Sequence, residues 1–301
     1  MCPRGDVFYL EEFPVELKKA TTFDEQLELL QERNCFISDP VFCKQVLQQV
    51  NYYRFSAYFL PFRNADGTYR DGTSFHRVFR IYEFDRKMRK VLFSAIEQIE
   101  LYLRTQLAYF HAHKYGALGY MDSTNYRARH NHERFQKLFQ DEVKHSEKVL
   151  FVKHHVEKYE GNFPIWVATE LFSFGMLSYF YNDMITADKK KIARSLYGTT
   201  FGNLDSWLRC CTDLRNICAH YGRLYYRIFS AIPATPDGFP MELGRRLFDN
   251  IIMVKFLYPD RDRWNNEVLT SISALIEEYR GDIALNHIGF PDTWEQLLTM
   301  R

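Results

Sequence analysis

The segment of this chain best suited to chemistry is Arg215-Asn216-Ile217-Cys218-Ala219-His220. An arginine and a histidine five positions apart on a helix can bracket one phosphate. Arginine presents a rigid fork of donors to the non-bridging oxygens. Histidine titrates near neutrality and can take or give the proton of an attacking or leaving oxygen. On RNA the attacking oxygen can be the substrate's own 2′-hydroxyl. No metal-bound water is then needed, and a cyclic phosphate is the product. Arg215 and His220 are therefore the expected catalytic pair, with Asn216, one turn from His220, placed to orient its ring.

A helix turns about 100° per residue. Trp207, Cys211, Leu214, Cys218 and Tyr221 then form one side, expected to face the core. Arg209, Asp213, Asn216, His220, Arg223 and Arg227 form a polar side. Arg215 lies at the edge of the core stripe, about 140° from His220. Only the small Thr212 and Ala219 fill the arc between them, which leaves a shallow notch with cationic walls. Arg209, Arg223 and Arg227 are expected to hold flanking phosphates of an RNA substrate. One helix supplies one acid–base pair, so a homodimer with two copies facing each other suits the chemistry better than a monomer. A plainer reading stands beside this one. The same spacing recurs at Arg127–His132, and Arg215 and His220 also fit a surface pair or a core-edge ion pair. The two function classes are thus a metal-independent endoribonuclease and a non-catalytic RNA-binding or regulatory interaction protein.

Composition narrows the rest. The chain has 301 residues, 46% apolar and 17% aromatic, ample for a core and against wholesale disorder. Its formal charge is +1, so contact with nucleic acid must come from a local patch. The six cysteines include no C-x-x-C pair and are read as reduced thiols of a cytoplasmic protein. Cys211 and Cys218 share a helical face and read as core thiols, not metal ligands. His154-His155 and His111/His113 point to different helical sides. No H-E-x-x-H, phosphate-binding glycine loop or G-x-S-x-G elbow is present, and no metal or cofactor is expected. No run approaches about 18 apolar residues, so no membrane span is expected. Met1-Cys2-Pro3-Arg4-Gly5-Asp6 lacks the order of a signal peptide.

The positioning elements read as all-α. Thr22 and Glu25 form a capping box for a helix to about Arg33. Asp39-Pro40 opens a second, continued by Leu47, Val50, Tyr53 and Ala57. Asn64–Gly72 is a loop with hairpin chemistry. The longest helix spans about Ser74–His113, with Phe84, Met88, Val91, Ala95, Ile99, Leu103 and Leu107 as its buried stripe. On another side, Glu100 and Arg104 form a structural pair one turn apart. Tyr120–His132 is an irregular polar stretch. Helices are expected over Glu133–Glu160, Ile165–Tyr181, Ala187–Tyr197 and the motif segment, the last capped by Asn203. Gly175 interrupts its helix at a point of close packing. A long loop carries Pro233, Pro236, Gly238 and Pro240. Two further helices cover Glu242–Tyr258 and Arg263–Tyr279, and a short one follows Pro291. Asn51-Tyr52-Tyr53-Arg54-Phe55 fits base stacking or, more simply, core packing.

In order along the chain come Thr22-Phe23-Asp24-Glu25-Gln26-Leu27, Asn51-Tyr52-Tyr53-Arg54-Phe55-Ser56-Ala57-Tyr58, and Tyr82-Glu83-Phe84-Asp85-Arg86. Pro164-Ile165-Trp166-Val167-Ala168-Thr169-Glu170, Ser173-Phe174-Gly175-Met176-Leu177-Ser178, the Arg215–His220 motif and Ile288-Gly289-Phe290-Pro291 follow. With these blocks the chain resembles the Abi-like proteins of the abortive-infection D/F type, within the HEPN superfamily, over nearly its whole length. The resemblance implies an all-α, HEPN-type helical bundle elaborated by N- and C-terminal helices. It implies one Abi-like domain over 1–301, with an N-terminal helical subdomain 1–72 and a HEPN-like core about 73–230. It also implies an Arg-x4-His ribonuclease centre at Arg215 and His220, assembled across a dimer, with Asn216 as the polar residue after the arginine. Bacterial defence against phage is the implied role, as a toxin in some relatives regulated by a small RNA. One departure is local: such chains commonly read His-His after the alanine, where this one has His220-Tyr221.

Overall fold

The computed structural model describes residues 19–300. The N-terminal stretch read for a leader, with Cys2, lies outside the described residues. Among the described residues the chain is all-α: there is no β-sheet, only isolated bridges. The described residues divide into two compact units, 19–76 and 77–300.

In the first unit, α1 (Phe23–Glu32) opens on the expected capping box. The Thr22 hydroxyl accepts the Glu25 N–H at 3.2 Å, and the Thr22 N–H donates to Glu25 Oε2 at 2.6 Å. The Asp39 carboxylate accepts the Phe42 N–H at 3.0 Å, and Pro40 supplies the preset first residue of α2 (Pro40–Gln49). This helix does not run on through Tyr53. Val50 turns extended, Asn51 caps a separate α3 (Tyr52–Ser56), and Tyr53 is 88% exposed while Phe55 is buried. The Asn64–Gly72 loop closes as a hairpin-like turn, with a backbone bond from Asn64 N–H to Thr68 O at 2.8 Å.

The second unit is built along α4 (Phe75–Tyr115). Six of the seven stripe residues are buried; Val91 is half-exposed and Leu92 takes the buried place. The single charged helix expected over Glu133–Glu160 is two, α5 (His132–His145) and α6 (Leu150–Lys158). The break falls where His145–Lys148 offers the core no apolar side chain. Ile165–Tyr181 also divides, into α7 (Ile165–Ala168) and α8 (Phe174–Asp183). Phe172 is extended, and the Ser173 hydroxyl restarts the helix by accepting the Met176 N–H at 3.3 Å. After α9 (Thr186–Tyr197) comes α10 (Phe201–Ala219), which packs against α8, α9 and α11 (Leu247–Leu257). α11 starts five residues later than expected. It is buried nearly all round, as its apolar sequence requires. The expected Arg263–Tyr279 helix begins at α12 (Arg261–Arg263), passes through a π-turn at Trp264–Leu269 and ends as α13 (Thr270–Glu278). The last helix is α14 (Trp294–Leu298).

The polar Tyr120–His132 stretch is pinned by two buried tyrosines. Tyr120 donates to Phe163 O and Tyr126 to Tyr120 O, each at 2.8 Å. Gly289 stands at φ +80°, and a Cβ there would approach Arg246 Cβ to 2.4 Å, so the Ile288–Pro291 block needs glycine at this point.

His111 is wholly buried with no partner for either ring nitrogen. Burial pushes its pKa down to about 4, against a smaller upward pull from Asp188 and a downward one from Lys114. Lys114 and Tyr115 both bind that same Asp188. The sign follows. Above the ordinary value of 6.5 both states are neutral and this group costs nothing. As pH falls below it, the unfolded chain binds a proton that the native chain refuses. Stability should drop by about 2 kcal/mol from this group between pH 7.5 and pH 5. His111→Phe should remove that part of the acid sensitivity, read as urea midpoints at the two pH values. An unchanged difference between midpoints would assign the acid sensitivity elsewhere.

Candidate functional site

Helix α10 starts where the Thr200 hydroxyl accepts the Asn203 N–H at 3.1 Å. Thr200 is thus the cap, and Asn203 instead donates from its side chain to Thr199 Oγ1 at 3.1 Å. Trp207, Cys211, Leu214 and Cys218 are buried, as the helical spacing predicts. Tyr221 is not: it is 69% exposed, because the helix has already ended. Two contacts hold the helix from outside. The Trp207 indole donates to Ala234 O at 2.7 Å, and the Ser206 hydroxyl accepts the Ala234 N–H at 3.0 Å.

Arg215 is half-buried and His220 is exposed at the C-cap. Arg215 Nη1 donates to Asn216 Oδ1 at 3.5 Å, and the guanidinium carbon lies 5.9 Å from the centre of the Phe93 ring of α4. Its Nε is buried without a partner. No carboxylate among the described residues lies within ion-pair distance of Arg215, and the His220 ring makes no hydrogen bond there. The cation is supported by an aromatic face and one amide, which leaves donors for an incoming anion. Asn216 touches the arginine; its expected contact with the His220 ring is not formed.

The other arginines separate. Arg209 is exposed, two turns upstream on the side of Asn216, and lines a groove with Thr212 and Asp213. Gly175 of α8 borders the same groove. A Cβ there would sit 3.7 Å from Thr212 Cγ2, an ordinary contact, so close packing does not demand this glycine. Arg223 and Arg227 do not extend the polar side of α10, since they follow its last residue, Ala219. Arg227 instead donates to Arg223 O at 3.4 Å and lies 5.7 Å from the Phe229 ring centre. Arg104 Nη2 pairs with Glu100 at 2.9 Å and also donates to Phe172 O at 3.0 Å, which ties α4 to the segment entering α8.

The helix ends in a Schellman motif. Gly222 N–H donates to Ile217 O at 2.7 Å and Tyr221 N–H to Cys218 O at 3.2 Å. The left-handed position is Tyr221, φ +58°, where the motif favours glycine or asparagine. Gly222 is required for a different reason: a Cβ there would meet Ile217 Cγ2 at 2.9 Å. Tyr221→Gly is expected to raise stability by about 0.5–1 kcal/mol, and Gly222→Ala to lower it by about 1–3 kcal/mol, both read by thermal melting. A lower melting temperature for Tyr221→Gly would show that the tyrosine ring compensates for its backbone.

Sequence reasoning missed what holds this turn. Asp85 of α4 is fully buried. Its carboxylate accepts the Leu224 N–H at 3.0 Å and the Tyr225 N–H at 2.6 Å. It is ion-paired with buried Arg89, which also donates to Gly222 O at 3.3 Å. The signal was an acid and an arginine four apart, set directly beside the apolar stripe Phe84–Met88–Leu92. The five described cysteines are free and buried; burial pushes the Cys218 thiol up to about 12. Among the described residues, no group of three or more His, Cys, Asp or Glu could hold a metal ion. No helix there is long and apolar enough to cross a membrane.

The Asp85–Arg89 clamp, the whole of α10 and the turn after it lie within residues 45–226, which match the family model described as Abi-like protein. No curated protein and no solved structure matches the chain. The matched stretch covers more than half of the 301 residues and ends one residue beyond Tyr225, the last backbone held by Asp85. The chain belongs to the Abi-like protein family.

Proposed function

We propose that this protein is a metal-independent endoribonuclease of the HEPN type, acting in bacterial defence against phage as an abortive-infection effector of the D/F kind. The observation that carries the reading is an exposed imidazole, His220, on the same helix end as a guanidinium, Arg215, that no carboxylate among the described residues neutralises. An arginine in a structural ion pair would have its donors spent; this one keeps them.

The reaction is a transesterification. The 2′-oxygen of one ribose attacks its own 3′-phosphorus, the bond to the next 5′-oxygen breaks, and a 2′,3′-cyclic phosphate and a 5′-hydroxyl result. His220 takes the 2′-hydroxyl proton or supplies the one that the 5′-oxygen needs. Arg215 donates to the non-bridging oxygens as charge builds on them. One histidine does only one of the two proton transfers at a time, so a homodimer that brings two His220 side chains to one cleft completes the set. Asn216, bonded to Arg215, holds the guanidinium; Arg209 lies on the same side of α10 for a flanking phosphate. Within the family resemblance, a small RNA is a fitting restraint on such an activity in healthy cells.

The test is incubation of the purified protein with mixed RNA in EDTA, with the product ends identified. Cleavage leaving cyclic phosphates, absent from His220→Ala, is the expected result. Equal RNA loss in both proteins would reject this assignment.

A further inference from the structure

A second set of arginines lies away from α10. The N-terminal end of α5 and the outer side of α8 enclose a cavity of about 250 Å³. Arg127, Arg129 and Arg134 line it, together with Phe135, Leu138 and Tyr179. Its one carboxylate, Asp183, is already engaged on both oxygens. Arg127 pairs with Oδ1 at 2.7 Å, and the His130 ring is 3.0 Å from Oδ2. Arg129 and Arg134 are exposed, and neither meets a carboxylate among the described residues. Arg134 is in the first turn of α5, whose dipole end adds potential of the same sign. The cavity therefore combines two uncompensated guanidinium groups with an apolar wall.

The wall explains what kind of anion fits. Phe135 and Phe180 are buried and fixed, whereas Tyr179 is 63% exposed at the cavity's rim. An exposed ring next to free arginines suits a base that stacks while its phosphate is held by the guanidinium forks. Tyr179 and Asn182 also border the neighbouring groove, which reaches α10 at Ser206, Arg209 and Asp213. That groove carries Asp205 and Asp213 against Arg209, so it has no cationic excess of its own. The anion site is the first cavity; the groove shares Tyr179 and Asn182 with it and reaches α10 as far as Asp213.

We propose that this cavity binds one nucleotide, base on Tyr179 and phosphate on Arg129 and Arg134, as a site separate from Arg215 and His220. The ligand chemistry is an aromatic base with a phosphate, either a free nucleotide or one unit of a single-stranded RNA. The site stands on its own arginines and does not depend on whether His220 cleaves.

The test uses full-length His220→Ala protein, so that RNA stays intact, and a 5′-fluorescein-labelled decauridylate read by anisotropy. Binding is expected, weakened about tenfold or more in Arg129→Ala/Arg134→Ala and about fivefold or more in Tyr179→Ala. The control Arg261→Ala/Arg280→Ala removes the same charge from exposed positions elsewhere and should leave affinity within twofold. Unlabelled uridine monophosphate and unlabelled decauridylate compete in separate arms. Displacement by the monophosphate assigns a free nucleotide to the cavity; displacement by the oligomer alone assigns a unit read within a chain. The proposal is overturned if neither ligand binds, if the Arg129/Arg134 variant loses no more than the control, or if inorganic phosphate displaces the probe as well as the monophosphate does. Cleavage by wild-type protein is measured separately, so a failed nucleotide site and a failed ribonuclease assignment give different results.

Discussion

Arg215→Ala is expected to slow RNA cleavage by about 10²–10³-fold, on the scale of removing one donor set aimed at a developing charge. His220→Ala should cost about 10²–10⁴-fold, the usual range for a positioned acid or base. Arg215→Lys should recover less than about tenfold of the arginine loss. The reason is geometric. Arg215 has its Nε buried and its guanidinium set between Asn216 and the Phe93 ring. A lysine ammonium is a point charge without the planar fork and cannot make the same two-pronged contact with a phosphate. Asn216→Ala should have a smaller effect, because a 3.5 Å bond to a guanidinium positions it but does not touch the reacting atoms. Cleavage rates in EDTA, measured across a range of RNA concentrations so that kcat and KM are resolved, separate these cases. A loss confined to KM would make Arg215 a binding residue, and wild-type rates for Arg215→Lys would remove the fork from the mechanism. Mixing Arg215→Ala with His220→Ala protein adds a check on the dimer. A shared cleft retains one arginine and one histidine in the mixed species, so partial activity should return; strict inactivity of the mixture would count against a shared cleft.

Much of this arrangement was legible in the sequence because it is local. Capping at Thr22 and Asp39, the stripe of α4 apart from Val91 and the core face of α10 apart from Tyr221 depend on residues within a few turns, and they formed as the spacing implies. The same holds for the Glu100–Arg104 pair, one turn apart. What was not legible depends on contacts distant in the chain or on where helices stop. Ser173 and Phe172 divide a segment that reads as one apolar helix, since a capping hydroxyl outweighs continued periodicity. By spacing alone the polar side of α10 runs on to Arg223 and Arg227, because periodicity does not mark the point where the helix's carbonyls are taken by a turn. Here Gly222 takes Ile217 O, and the two arginines leave the helical face. Asp85, 139 positions before Leu224, gave no sign of its partner in any window a periodicity argument can use.

That distant partner makes Asp85→Ala the substitution expected to destabilise the protein most, by about 3–5 kcal/mol. It leaves the Arg89 cation buried without its carboxylate, and it strips the acceptor from two amides, Leu224 N–H and Tyr225 N–H. Arg89→Ala should cost less, about 2–3 kcal/mol, because the carboxylate keeps both amide donors. The double variant Asp85→Leu/Arg89→Leu distinguishes a charge effect from a backbone one. Replacing a buried pair with apolar residues often restores stability. Here it should not restore it fully, since the two amides stay unpaired whatever the side chains. Urea unfolding of the three proteins, with slopes compared, gives the order directly. A loss under about 1 kcal/mol for Asp85→Ala, or full recovery in the double variant, would show that the turn is held by other contacts. The same clamp bears on chemistry. From His220 to the clamped Leu224 is four residues, with strained Tyr221 and tightly packed Gly222 between them. The helix end that carries the imidazole is thus fixed from both sides, by α10 before it and by α4 after it. Asp85→Asn keeps one acceptor oxygen and most of the volume, so it should stay folded while letting the turn shift. Its cleavage should then fall in kcat with little change in KM, the mark of a residue that positions His220 from a distance.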